Sequence, residues 1–169
     1  MAGQPLNVLF LCTGNSCRSI IGESLLNALG AGRFCAYSAG SNPVGAINLH
    51  ALIALERHGY PTGGLHSKDV GDFLGPDAPH LDIVFTVCDN AAEACPLWPG
   101  ETLVVHWGLP DPAHIEGDAA QVETAFDATL AALRTRIEGM LALDLAAMDV
   151  DAQRSALAAL GGQTSEVTG

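Results

Sequence analysis

The stretch Cys12-Thr13-Gly14-Asn15-Ser16-Cys17-Arg18-Ser19 follows the apolar run Val8-Leu9-Phe10-Leu11 and precedes a helical pattern. Five residues separate Cys12 from Arg18, a length over which successive backbone N–H groups can turn inward around an oxyanion while the arginine closes the ring bidentately. Thr13, Gly14, Asn15, Ser16, Cys17, Arg18 and Ser19 are the candidate oxyanion-binding residues. A cysteine at a strand end, facing a helix N-terminus, is expected to be acidified and to stand as a thiolate at neutral pH. Asn15 is expected to brace the loop by bonding nearby backbone, and Ser19 by donating to the Cys12 sulfur.

Working outward, Leu6–Leu11 reads as a strand buried on both faces and therefore central. The helix after the loop carries Ile20, Ile21, Leu25, Leu26 and Leu29 on one side and stops near Gly30 or Gly32. A second strand is expected at Phe34–Ala39, a second helix from Asn48 to His58, a third strand at Leu81–Val87 and a fourth at Thr102–Trp107. Ala119–Ala146 reads as one long helix with a potential break at Gly139. From Ala147 the pattern weakens to a turn or two of helix around Gln153–Leu160 and a frayed tail. Strands alternating with helices imply an α/β sandwich with a parallel sheet. Right-handed crossovers then gather the C-terminal strand ends, which carry Cys12, Cys88 and Asp111.

The chain has 169 residues and a formal net charge of -12, which makes nucleic acid and anionic membranes unsuitable partners. No run approaches membrane-spanning length and no basic leader precedes the first strand, so a cytoplasmic protein, monomeric by default, is expected. The five cysteines are odd in number, which argues against a static disulfide framework. The six histidines show no metal-ligand spacing, and no metal site is expected.

The spacing from Cys12 to Arg18-Ser19 after an N-terminal hydrophobic strand resembles the low-molecular-weight protein tyrosine phosphatases and the arsenate reductases of the same fold. The resemblance implies a four-stranded parallel sheet of order 2-1-3-4 in a three-layer α/β sandwich, with residues 1–147 as one catalytic domain and 148–169 as a C-terminal extension, partly helical and then flexible. It implies that Cys12 is the nucleophile, Arg18 its oxyanion partner and Asp111, between Pro110 and Pro112, the general acid. Phosphatases of this fold follow the Asp-Pro pair with a tyrosine, whereas Ala113 stands here.

Cys88-Asp89 through Cys95-Pro96, with His106-Trp107-Gly108 beyond, resembles the relay segment of the three-cysteine arsenate reductases. The implied activity is reduction of arsenate to arsenite, with a disulfide passing from Cys12–Cys88 to Cys88–Cys95. The alternative is a low-molecular-weight tyrosine phosphatase or another small phosphomonoesterase, which needs Cys12, Arg18 and Asp111 alone. The implied ligands are arsenate, phosphate and sulfate. The implied reductant is thioredoxin, with glutaredoxin or a small thiol as the competing donor, and no tightly bound cofactor. Asn15, Glu23, Ser38 and Asp69 resemble a monovalent-cation site, with potassium as the candidate ion.

Overall fold

The computed structural model describes residues 4–88, 98 and 102–163. Four parallel strands, β1 (Leu6–Cys12), β2 (Phe34–Gly40), β3 (Ile83–Thr86) and β4 (Leu103–His106), form one sheet of order β2-β1-β3-β4. This is the expected α/β class and strand order. In β1, Val8 through Leu11 are completely buried although alternate side chains point to opposite faces. Both faces of the sheet are therefore covered, as a three-layer arrangement requires.

Helix α1 (Arg18–Leu29) connects β1 to β2, and α2 (Leu49–Arg57) begins where Asn48 accepts from His50 N. α1 lies close on β1 because residue 22 is glycine: a Cβ there would sit 2.8 Å from the Phe10 ring. A 3-10 turn at Val70–Phe73 packs edge-on against Tyr37 of β2 through Phe73.

Helix α3 (Ala119–Leu141) starts at a capping box in which Asp118 and Gln121 satisfy each other's backbone N–H groups. It ends at Leu141, not at the expected Ala146, where Arg33 Nη1 takes the Leu141 carbonyl at 2.8 Å and a 3-10 turn follows at Leu145–Ala147. Gly139 does not break it. A Cβ on Gly139 would lie 2.5 Å from a Leu160 methyl, so the glycine admits the next helix.

That helix, α4 (Val150–Gln163), is longer than the turn or two expected, and its Leu157 and Leu160 join the core. It lies along edge strand β4, where Arg154 Nη1 reaches the Val104 carbonyl and the Leu157 carbonyl accepts the Trp107 indole N–H at 2.8 Å. Trp107, completely buried, stacks on Phe85, whose ring faces Phe10. The aromatic column thus runs from β1, the strand that ends in Cys12, to the start of the Asp111 loop. The tail beyond residue 163 lies outside the described residues. No helix among the described residues is long and apolar enough to cross a membrane.

Candidate active site

β1 delivers Cys12 at its last position, and the backbone from Thr13 to Cys17 curls beneath the N-terminus of α1. Neighbouring loops fix that curl: Ser41 N bonds the Cys12 carbonyl at 3.0 Å, Asn42 N that of Thr13 at 2.9 Å, Val44 N that of Gly14 at 3.0 Å and Asn48 N that of Ser16 at 3.0 Å. With carbonyls turned outward to these partners, the curl is left to present N–H groups inward. Gly40 permits the approach, since a Cβ there would meet the Thr13 carbonyl oxygen at 2.5 Å.

Asn15 is the keystone. Its φ of 48° is left-handed, a conformation Asn tolerates better than most residues, and its side chain is wholly buried. Oδ1 accepts from Lys68 N at 2.7 Å, as the expected backbone bracing requires, and Nδ2 donates to Ser19 Oγ at 2.9 Å. The expected donation from Ser19 to Cys12 is not observed: the groups acting on the Cys12 sulfur are Cys88, the Thr13 backbone N–H and Arg18.

The Cys12 thiol itself departs from expectation. Contact with the Cys88 thiol and burial raise it above the ordinary value, and the opposing pull of Arg18 and the Thr13 N–H does not overcome them. Sequence reasoning counted the helix end and the arginine but not a second sulfur. Two buried thiols set close together oppose each other's ionisation, which favours the protonated form of Cys12. The contact follows from register: β1 and β3 pair Leu11 with Thr86, and Val87 N continues the ladder to the Leu11 carbonyl, so Cys88 arrives beside Cys12. Thr13 Oγ1 also lies 3.3 Å from Cys88 Sγ, a contact its backbone-binding role did not suggest.

Arg18 reaches across the mouth to the loop after β4. Nη1 donates to the Leu109 carbonyl at 2.8 Å and Nη2 lies 3.4 Å from Asp111 Oδ2, while Nε is buried without a hydrogen-bond partner among the described residues. A buried donor of this kind suits an arriving anion. Asp111 caps a 3-10 turn (Pro112–His114) by accepting from Ala113 N at 2.9 Å. Together these residues surround a cavity of about 550 Å³ lined by Cys12, Thr13, Gly14, Ser16, Cys17, Arg18, Val44, Cys88, Asp111 and Ala113. None of these lining residues is aromatic, so no ring is placed among them to stack on an aryl ester.

Cys17 is buried at this wall, its thiol raised chiefly by burial and lying 3.7 Å from Ser16 Oγ. Cys95, expected in the relay, lies outside the described residues. Cys35 is remote, beside Tyr37 on β2.

The residues resembling a cation site come together in part. Glu23 Oε1 accepts from Ser38 Oγ at 2.5 Å, and the Lys68 ammonium lies 3.4 Å from the same oxygen and 2.7 Å from the His66 carbonyl. Asp69 instead caps the Val70–Phe73 turn. Lys68 thus brings a tethered positive charge to Glu23, a substitution that the lone lysine of the sequence could have signalled. Among the described residues no group of three or more His, Cys, Asp or Glu side chains is placed to hold a metal ion.

An arsenate reductase of Bacillus licheniformis is 38% identical over 111 residues, which span 65% of this chain and 76% of that protein. One from Bacillus subtilis is 35% identical over the same length and shares. Among solved structures, an arsenate reductase in the phosphate binding state superposes with a TM-score of 0.64 at 26% identity, covering 81% of this chain and 97% of that one. A sheet order, a cysteine loop and an arginine arranged as described are accompanied by a match of residues 7–154 to the low molecular weight phosphotyrosine protein phosphatase model, and the chain belongs to that family.

Proposed function

We propose that the protein is an arsenate reductase in which Cys12 attacks bound arsenate and Cys88 and Cys95 carry the resulting disulfide outward. The observation that carries this reading is that Cys12 and Cys88 line the same pocket above the anion loop, with the Cys88 thiol the largest influence on Cys12. A phosphatase needs one sulfur there; a second on the same wall suits electron transfer. The similar arsenate reductases support the same choice.

Bound in the loop as a dianion, arsenate meets backbone N–H groups and the Arg18 guanidinium. As the sulfur closes on arsenic the Cys12 proton passes to an arsenate oxygen, so that the thiolate develops only once substrate is in place. The sulfur attacks arsenic, and the protonated oxygen leaves as water with a second proton from Asp111. Arg18, recruited by the anion, releases Asp111 for that transfer. Cys88, giving up its proton to solvent, then attacks Cys12 Sγ, the sulfur–arsenic bond breaks with its electron pair on arsenic, and As(V) departs as As(III), which takes up protons from solvent as arsenite. Two thiols have become one disulfide. Cys95 attacks Cys88 in turn and frees Cys12, and an external dithiol protein of the thioredoxin or glutaredoxin type restores both thiols. The acidic surface favours a reductant that docks through a basic patch.

Mass spectrometry of the reduced protein mixed with stoichiometric arsenate tests this reading. Expected are free arsenite, a loss of two hydrogens' mass and a disulfide that includes Cys88. Intact thiols after exposure to arsenate, together with hydrolysis of a phosphomonoester that survives Cys88→Ser and Cys95→Ser, would assign the phosphatase alternative instead.

A further inference from the structure

We infer that Arg136, on the buried face of α3, is a positioning residue that sets the height of the Asp111 loop from beneath; the inference rests on the reading of Asp111 as the general acid. Its guanidinium donates through Nη1 to the Trp107 carbonyl at 2.8 Å and through Nη2 to the Gly108 carbonyl at 3.2 Å. These are the first two residues after β4, and the third, Leu109, gives its carbonyl to Arg18 from the opposite side. Three successive carbonyls at the base of the acid loop are thus gripped by two arginines.

Packing fixes Trp107 itself, but not the loop that follows it. Between the loop and α3 lies a cavity of about 330 Å³, walled on the helix side by Ala125, Ala128 and Ala132. Alanines leave the loop unsupported by bulk, so hydrogen bonds fix its position. Arg136 is only 2% exposed, and a buried cation is costly enough that a merely space-filling role would favour an apolar residue. Desolvation pulls it down to about 10, which leaves it charged at neutral pH. The fork geometry matters as much as the charge, because one planar guanidinium meets two adjacent carbonyls.

The arginines differ in what substrate does to them. An oxyanion that recruits Arg18 takes it from Leu109 and Asp111, removing the upper grip at the moment the acid is needed. Arg136 touches no ligand and keeps its carbonyls throughout. It is what holds Asp111 in reach of the departing oxygen while Arg18 is engaged.

The test is a double-mutant cycle on the rate of arsenate-dependent disulfide formation in a single turnover, with Arg136→Met, Asp111→Asn and the pair. A displaced acid is expected to slow Arg136→Met on the order of 10²-fold at saturating arsenate. Half-saturating arsenate should be unchanged, since the Cys12–Ser19 loop is untouched. The double variant should be no slower than Asp111→Asn. Arg136→Gln and Arg136→Lys, each able to reach one carbonyl, should fall between wild type and Met, and they decide the question by the same cycle if the Met variant does not fold. A full rate in the folded variants, or losses that multiply in the pair, would overturn the positioning role alone. An Asp111→Asn protein at full rate would overturn the acid reading and this inference together.

Discussion

Asn15→Ala removes the residue on which the shape of the anion loop depends, and the structure allows its effect to be worked out by parts. Two hydrogen bonds go, from Lys68 N at 2.7 Å and to Ser19 Oγ at 2.9 Å, each contributing about 1 kcal/mol. The Lys68 N–H then loses its acceptor in a partly buried place, which adds roughly 1 kcal/mol or more. The backbone at φ 48° is strained for alanine by about 1–2 kcal/mol. The expected loss is about 3–5 kcal/mol, well above the effect of an ordinary surface change. Asn15→Gly separates the contributions. It loses the same hydrogen bonds but not the left-handed strain, and its gain is reduced by the greater freedom of the unfolded chain, so it should be about 0.5–1 kcal/mol more stable than Asn15→Ala. Urea unfolding at neutral pH reads both values, and phosphate titration of thermal stability reads the loop, because an anion that still binds raises the midpoint. Both variants should lose most of the phosphate-induced rise. An alanine variant within about 1 kcal/mol of wild type, or a glycine variant no better than alanine, would refute the assignment of Asn15 as the strained brace.

Four further outcomes follow from the same geometry. Cys88→Ala removes the main influence raising Cys12, so alkylation of Cys12 by iodoacetamide at neutral pH should accelerate over wild type, as read by mass spectrometry with the other thiols quantified alongside; an unchanged rate would remove the paired-thiol account. Cys12 and Cys17 both hold their protons more tightly folded than unfolded, so the folded state binds more protons above the ordinary thiol value of 9.0, and stability must fall as pH rises past it, by up to about 1.4 kcal/mol per pH unit per thiol; urea midpoints at neutral and alkaline pH measure this, and Cys12→Ser should shallow the slope. Gly40→Ala drives a Cβ against the Thr13 carbonyl oxygen, backbone that cannot swing aside, and should cost about 1–3 kcal/mol with weakened phosphate binding, whereas Gly139→Ala meets only a Leu160 methyl and should cost less by thermal unfolding. Truncation of α4 before Val150 exposes Trp107 and should lower the thermal midpoint and quench or red-shift indole fluorescence; an unchanged spectrum would show that α4 does not seal that face.

The sheet was legible because its strands are short β-branched or apolar runs ending in glycine or polar residues, a local pattern that needs no tertiary context. The anion loop was legible for the same reason, since its length alone lets amides converge. What escaped the sequence depended on neighbours distant in the chain. The state of the Cys12 thiol turns on Cys88, which lies 76 positions away and is brought in by register. The end of α3 turns on Arg33 capturing the Leu141 carbonyl, and the length of α4 on a tryptophan indole and an edge strand it can cover. The role inferred for Arg136 had no signal at all in periodicity, since an arginine among Leu133 and Ile137 reads as one more polar residue on an amphipathic helix.

On the proposed reading, the influence of Cys88 that raises the Cys12 thiol also lets a nucleophile and a reductant share one pocket without reacting early. A free thiolate at Cys12 beside Cys88 would be open to oxidation whenever the pocket was empty, because the thiolate is the form that oxidants attack. On that reading Cys12, held as a thiol by its neighbour and by burial, is guarded until an oxyanion arrives that accepts the proton as its central atom is attacked. Phosphate and arsenate meet that condition alike, so the loop does not choose between them. The choice comes one step later, when the adduct is offered to Cys88: a sulfur–arsenic bond can break with its electrons on arsenic, whereas the phosphorus adduct has no comparably accessible reduced state and must await water. On the proposed reading discrimination resides in the chemistry of the adduct and in the separation of the two sulfurs, so a variant that moves those sulfurs apart while sparing the loop should bind both anions and reduce neither.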